Sequence, residues 1–115
     1  RGGLATTLVE IARQSKVNIE LDEETIPVDQ PVLKTCELLG LDPLYMANEG
    51  KLILILPADE AADALRVMHS TRYGEQARLI GQVLAPSNGQ VWLKTPFGTT
   101  RVLEMLAGEM LPRIC

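Results

Sequence analysis

The chain has 115 residues, 46% of them hydrophobic and 23% charged, with a net charge of −4. This fits one compact domain with a single core and excludes a disordered chain; two cysteines and one histidine also exclude a disulfide framework and a structural zinc site. Acidic and basic residues are interspersed, so no basic stripe offers a surface for nucleic acid or an anionic membrane.

The opening RGGLATTLVEIARQ lacks an initiating methionine and enters a helix almost at once, which predicts the C-terminal portion of a longer protein. Leu4, Leu8, Ile11 and Ala12 recur at helical spacing behind Gly2 and Gly3, predicting an amphipathic helix entered through a close backbone turn. Two glycines fall far short of a phosphate-binding loop, so tight packing is the expected reason for them. Val17, Ile19 and Leu21 then alternate with Asn18 and Glu20, the pattern of a half-buried strand. Asp22, Glu23 and Glu24 form a solvated acidic turn. A second helix starts near Asp29, carries Pro31 in its first turn and ends at Gly40, with Val32, Leu33, Cys36 and Leu39 on its apolar face. On that face Cys36 reads as a small hydrophobe rather than a nucleophile.

LDPLYMANEG follows as a short helical turn or loop, and KLILILP, with its unbroken apolar run, predicts a central strand buried on both faces. The run 52–56 is far too short to cross a bilayer, and no basic stretch followed by an apolar one opens the chain, so a reducing, cytoplasmic setting is expected. Glu49, between Asn48 and Gly50 at the mouth of that strand, is a candidate for partial desolvation. Pro57 to Glu60 opens a third helix whose buried side holds Ala61, Ala62, Leu65 and Met68; His69 in its last turn is explained by the helix dipole. Strands near 78–84, 90–95 and 100–106 complete the domain, with a hairpin signal at Ser87, Asn88 and Gly89 and a turn at Pro96, Phe97 and Gly98. The expected fold class is α+β, a layered domain with helices packed on a mixed sheet of at most about five strands over residues 1–106.

Residues 107–115 form a tail that ends in LPRIC. A cysteine at the last position contributes nothing to a core and is open to oxidation. The terminal carboxylate and Arg113 act on the Cys115 thiol with opposite sign and nearly cancel, so a partner site must activate it. At about 3.3 Å per residue the tail reaches roughly 30 Å, a plausible carrier arm.

RGGLATTLVEIA, CELLGLDPLYMANEGKLILILP, GEQARLIGQV and above all EMLPRIC together resemble the C-terminal domain of the HypE family. These are hydrogenase expression/formation proteins, carbamoyl dehydratases within the aminoimidazole ribonucleotide synthase-like superfamily. The likeness spans essentially all 115 residues, and PRIC is its most specific motif. The resemblance implies that Cys115 is the carrier nucleophile, carbamoylated by the carbamoyltransferase HypF from carbamoyl phosphate. ATP then activates the thiocarboxamide oxygen and phosphate leaves to give a thiocyanate. Its cyano group passes to iron on the HypC and HypD scaffold for the active site of [NiFe]-hydrogenase. Glu49 in ANEGK matches the family glutamate that assists proton removal, and partial burial would strengthen it as a base. Pro112 and Arg113 would shape how the tail enters its cleft. ATP, with magnesium, would be bound mainly by an N-terminal domain absent from this chain, which also builds the homodimer. No cofactor or metal site is expected here, and this portion alone should not turn over ATP. A rival reading is a non-catalytic interaction domain whose tail docks on partners, in which case Cys115→Ala would leave hydrogenase maturation intact. A third is a superfamily relative without a covalent arm, indifferent to loss of the last five residues.

Overall fold

The computed structural model describes residues 2–86 and 88–105. The end of the expected last strand at Leu106 and the tail 107–115, with Pro112, Arg113 and Cys115, lie outside the described residues.

Helix α1 spans Gly3–Ser15 and buries Ala5, Leu8, Val9 and Ala12; of the expected stripe Leu8 and Ala12 are buried, while Leu4 and Ile11 are half-buried at its edge. No side chain caps its start. Instead Gly2 and Gly3 take φ of 77° and 74°, a left-handed conformation that glycine adopts without a Cβ penalty. Lys16, also left-handed, bonds its N–H to the Ala12 carbonyl and turns the chain directly into β1, Val17–Asp22.

The sheet has the order β2-β1-β3-β4, with β2 at Gly81–Pro86, β3 at Val91–Lys94 and β4 at Thr100–Leu103. β1 runs antiparallel to β2 and parallel to β3, and β3 runs antiparallel to β4, so the sheet is mixed as expected. The register places Ile19 beside Val91, Leu21 beside Leu93 and Val91 beside Leu103. Since side chains alternate along a strand, all five face one side, and there they meet the buried stripe of α1 in the core. Each such buried Leu, Val or Ile contributes about 1.5–3 kcal/mol. The same register sets Glu20, Trp92 and Val102 on the opposite face, where Val102 is exposed. Helix α2 covers Gln30–Leu39, closed by left-handed Gly40, and α3 covers Ala61–His69 behind a 3₁₀ turn at Ala58–Glu60. The turn at 96–98 joins β3 to β4, with the Gly98 N–H donating to the Thr95 carbonyl.

Five expectations are corrected. The run 52–56 is not a central strand: both inner places of the sheet are taken by β1 and β3. In this structure the segment joins no ladder; Ile53 packs on the core while Leu52 is 84% exposed. An unbroken apolar run carries no alternation and therefore no register, which leaves its partner unspecified. Second, β2 and β3 are not a hairpin, because β1 lies between them. Third, Asn18 is not on a solvated face: it is 7% exposed, and its Oδ1 accepts from the Gln90 N–H at 2.9 Å, satisfying the crossing strand where no ladder bond is available. Fourth, the apolar face of α2 is only partly covered, since Cys36 is buried and Leu33 half-buried whereas Val32 and Leu39 are exposed. Finally, α3 holds no fully buried residue, and Ala62 is exposed.

Candidate functional site at the base of the tail

The residues around Glu49 follow from how the segment after α2 is tied down. Asp42 caps a 3₁₀ turn at Pro43–Tyr45, its Oδ1 accepting from the Leu44 N–H at 3.0 Å, and Pro43 supplies the fixed φ of the first position. The other carboxylate oxygen of Asp42 accepts from Arg101 on β4 at 2.8 Å. This pair is partly exposed and worth about 0–1 kcal/mol, so it serves to fix register more than to add stability. Leu44 is buried in the core, and on the α1 side the turn lies against Gly3, where an added Cβ would meet the Leu44 carbonyl at 2.5 Å and the Met46 carbonyl at 2.6 Å. The close approach at Gly3 therefore serves tight packing, as the sequence suggests.

Tyr45 completes the anchoring. Its ring packs against the core while its hydroxyl donates to the Glu104 carbonyl at 2.7 Å and accepts from the Glu104 N–H at 3.0 Å. Glu104 directly follows β4, so the last described residues of the chain are held to the segment that leads to Glu49. Past Tyr45, the Asn48 side-chain amide donates to the Met46 carbonyl at 3.1 Å, and Gly50 adopts a left-handed φ of 74°. Glu49 itself is exposed, not partly buried as the sequence suggests, because no core strand follows it.

The remaining sequence candidates are accounted for structurally. The Cys36 thiol is 2% exposed, enclosed on α2. His69 uses Nε2 to donate to the Ala77 carbonyl at 2.7 Å, bracing the loop behind α3. The acidic run forms a 3₁₀ turn at Glu23–Thr25, capped by the Asp22 side chain on the Glu24 N–H. A broad open cleft of about 1400 Å³ is bordered by Glu37, Asp42, His69, Arg78, Phe97 and Arg101 among others. It shares Asp42 and Arg101 with the brace but does not include Glu49. Among the described residues no three His, Cys, Asp or Glu side chains come together to hold a metal ion. No described helix is long and apolar enough to cross a membrane. Sequence reasoning missed Tyr45 and Asp42; the only local signal was the Asp-Pro start of a turn.

Comparisons with known proteins extend this picture. Residues 1–94 match the family described as AIR synthase related protein, C-terminal domain. The whole chain is 53% identical to the carbamoyl dehydratase HypE of Azotobacter vinelandii, covering 34% of that protein. The fold superimposes with a TM-score of 0.91 on a crystal structure of the hydrogenase maturation protein HypE in complex with ATP, at 50% identity, over all of this chain and 36% of that one. It also matches a crystal structure of a HypE–HypF complex, at TM-score 0.85 and 41% identity, over 90% of this chain and 33% of that one. The chain thus spans about a third of the length of the curated relatives it matches. With a family match over residues 1–94 and the mixed-sheet fold, the chain belongs to the family of AIR synthase related proteins, as their C-terminal domain.

Proposed function

We propose that this chain is the carrier-bearing part of a HypE-type carbamoyl dehydratase, a domain over residues 1–106 that presents Cys115 on a tail at 107–115. The thiolate of Cys115 accepts a carbamoyl group from HypF and becomes an S-carboxamide. Carried on sulfur, the group can visit successive sites, which splits one difficult transfer into easier steps. ATP supplies the activation of the carboxamide oxygen, in the part of the protein beyond this chain. Glu49 takes a proton from the carboxamide nitrogen, the second nitrogen proton is released to solvent, and the oxygen leaves as phosphate. The products are an S-cyanide on Cys115, ADP and inorganic phosphate. The cyano group then passes to iron on HypC and HypD. Pro112 and Arg113 guide the tail into its cleft, and arrival of the tail over the 48–50 turn withdraws Glu49 from water. The whole protein works as a cytoplasmic homodimer.

The observation that carries this reading is the Tyr45 bridge. It holds residue 104 to a turn only four residues before Glu49, which places Glu49 within about 14 Å along the chain, while Cys115 lies eleven residues beyond Glu104 and can span about 36–40 Å. The sulfur can therefore return to Glu49 without unfolding any described element. The resemblance of the whole chain to HypE, solved elsewhere with ATP and with HypF, supports the choice of chemistry.

The test uses the full-length protein. Cys115→Ala takes up no carbamoyl group and fails to support hydrogenase maturation, whereas Glu49→Gln still loads the carbamoyl group but dehydrates it about 10²–10⁴-fold more slowly, the usual worth of a positioned base. Maturation supported by Cys115→Ala would overturn the reading, and a Glu49→Gln dehydration rate within threefold of the parent would remove Glu49 from it.

A further inference from the structure

The broad cleft beside the Asp42–Arg101 pair combines apolar side chains that face water with a rim of one charge. Its border runs along α2, the second half of α3, the loop behind α3 and the β3–β4 turn. Phe97 is 90% exposed and Leu79 60% exposed, and Leu33, Leu41 and Leu65 line the same space half-buried. Phe97 sits on a braced turn, closed by the Gly98 N–H on the Thr95 carbonyl and by the Thr95 N–H on the Thr99 carbonyl at 2.8 Å. Large apolar groups left in water within one cleft and rimmed by polar residues mark a surface that another molecule covers. The charge of the rim says which kind. Of the 15 acidic and 11 basic residues of the chain, Glu23, Glu24, Asp29, Glu37, Asp42 and Glu75 border the cleft against Arg78 and Arg101. Elsewhere nine acidic residues meet nine basic ones, so the whole net charge of −4 is concentrated at this cleft. Asp42 and Arg101 neutralise each other at 2.8 Å, and the other five carboxylates form no ion pair among the described residues.

We propose that this cleft docks a cationic amphipathic segment of a partner protein, whose apolar side chains cover Leu79 and Phe97 while its lysines and arginines meet the carboxylate rim. Complementary charge selects such a segment and speeds its encounter, and the apolar contacts hold it once seated. The dimensions favour a polypeptide over a small molecule: the cleft measures about 1400 Å³ and is open, whereas small-molecule sites enclose about 300–1,000 Å³. A nucleic acid or an anionic lipid surface would bring its phosphates against the five unpaired carboxylates and be repelled. Glu49 lies outside the border of the cleft, so the docking requires nothing from the carrier reading above.

The experiment uses the full-length protein and two fluorescently labelled synthetic peptides of two heptads each, both with leucine at the apolar positions, one with lysine and the other with glutamate at the polar positions. Fluorescence anisotropy at physiological ionic strength should give a Kd of about 100 μM or tighter for the lysine peptide, and binding at least about tenfold weaker for the glutamate peptide. Glu37→Lys combined with Glu75→Lys should weaken the lysine peptide about tenfold or more, since two attractions become two repulsions. Both side chains are exposed, and a lysine in the last turn of α2 suits the helix dipole, so this variant keeps the fold. Leu79→Ser combined with Phe97→Ser, again at exposed positions, should weaken it about tenfold through the lost apolar contact. The control is Glu10→Lys combined with Glu20→Lys, which changes the net charge equally at positions outside the cleft and should leave the Kd within about twofold. A control variant that weakens the peptide as much as the Glu37 and Glu75 pair overturns the proposal, because binding then follows the charge of the whole molecule. Equal binding of the two peptides overturns it as well, and so does a full-length protein that binds neither, since its own remaining chain then covers the cleft.

Discussion

Replacing Gly3 by alanine tests the mount on which the candidate site is built. Two separate costs arise. Gly3 has φ of 74°, where an L-residue loses roughly 1–2 kcal/mol through contact of its Cβ with backbone. In addition the new Cβ would sit 2.5 Å from the Leu44 carbonyl, 2.6 Å from the Met46 carbonyl and 2.9 Å from the Met46 nitrogen. These are backbone atoms, which cannot swing aside like the end of a flexible side chain, so overpacking adds about 1–3 kcal/mol. Gly98 provides the control: its φ is 80°, but nothing lies within 4 Å of an added Cβ. The first cost applies to both and the second only to Gly3. Urea denaturation of the chain, followed by the fluorescence of Trp92, should show Gly98→Ala destabilised by about 1–2 kcal/mol and Gly3→Ala by about 2–5 kcal/mol. Equal losses for the two variants would refute the close approach of α1 to the Pro43–Tyr45 turn, and with it the rigid mount for Tyr45.

Asn18→Leu should cost about 1–3 kcal/mol, because it leaves the Gln90 N–H without its acceptor in the interior; amide exchange at Gln90 would accelerate, whereas Asn18→Asp, which keeps an acceptor oxygen, should retain protection there. Cys36 should resist Ellman's reagent in the native protein and react only on unfolding, and Cys36→Ala should leave carbamoylation at Cys115 intact; a fast-reacting native Cys36 would contradict its burial on α2. Leu93→Ala removes a fully buried side chain from the centre of the sheet and should destabilise by about 2–5 kcal/mol in the same urea titration, a loss below 1 kcal/mol placing the core elsewhere.

What the sequence made legible depended on how local each signal was. Helix α1, strand β1, the Pro31 to Gly40 bounds of α2 and the Pro96 to Gly98 turn are all written within a few residues, and each element appears where its pattern places it, although Asn18 breaks the alternation of β1 by being buried. β2 and β3 do run in opposite directions, as a reversal between them requires, but whether two strands pair or admit a third between them is decided by distant residues. Here β1 takes the place, and Asn18 satisfies the crossing chain. The apolar run 52–56 states hydrophobicity without period, so it could not distinguish an inner strand from a segment beside the sheet. Glu49 was visible as a carboxylate in a turn, yet its exposure followed from that misread strand. Tyr45 was invisible for another reason: its two bonds reach a residue 59 positions away and engage only backbone, which every residue possesses.

The central claim is that the last residue of the chain carries the chemistry, and the most direct measurement is intact and peptide-mapped mass of the full-length protein after incubation with HypF, carbamoyl phosphate and ATP. The account predicts a carbamoyl adduct on Cys115 that loses the mass of one water while ATP is consumed, with no adduct in Cys115→Ala. An unmodified Cys115, with HypF shown to be active on a control acceptor, would contradict it and leave the tail as a docking segment.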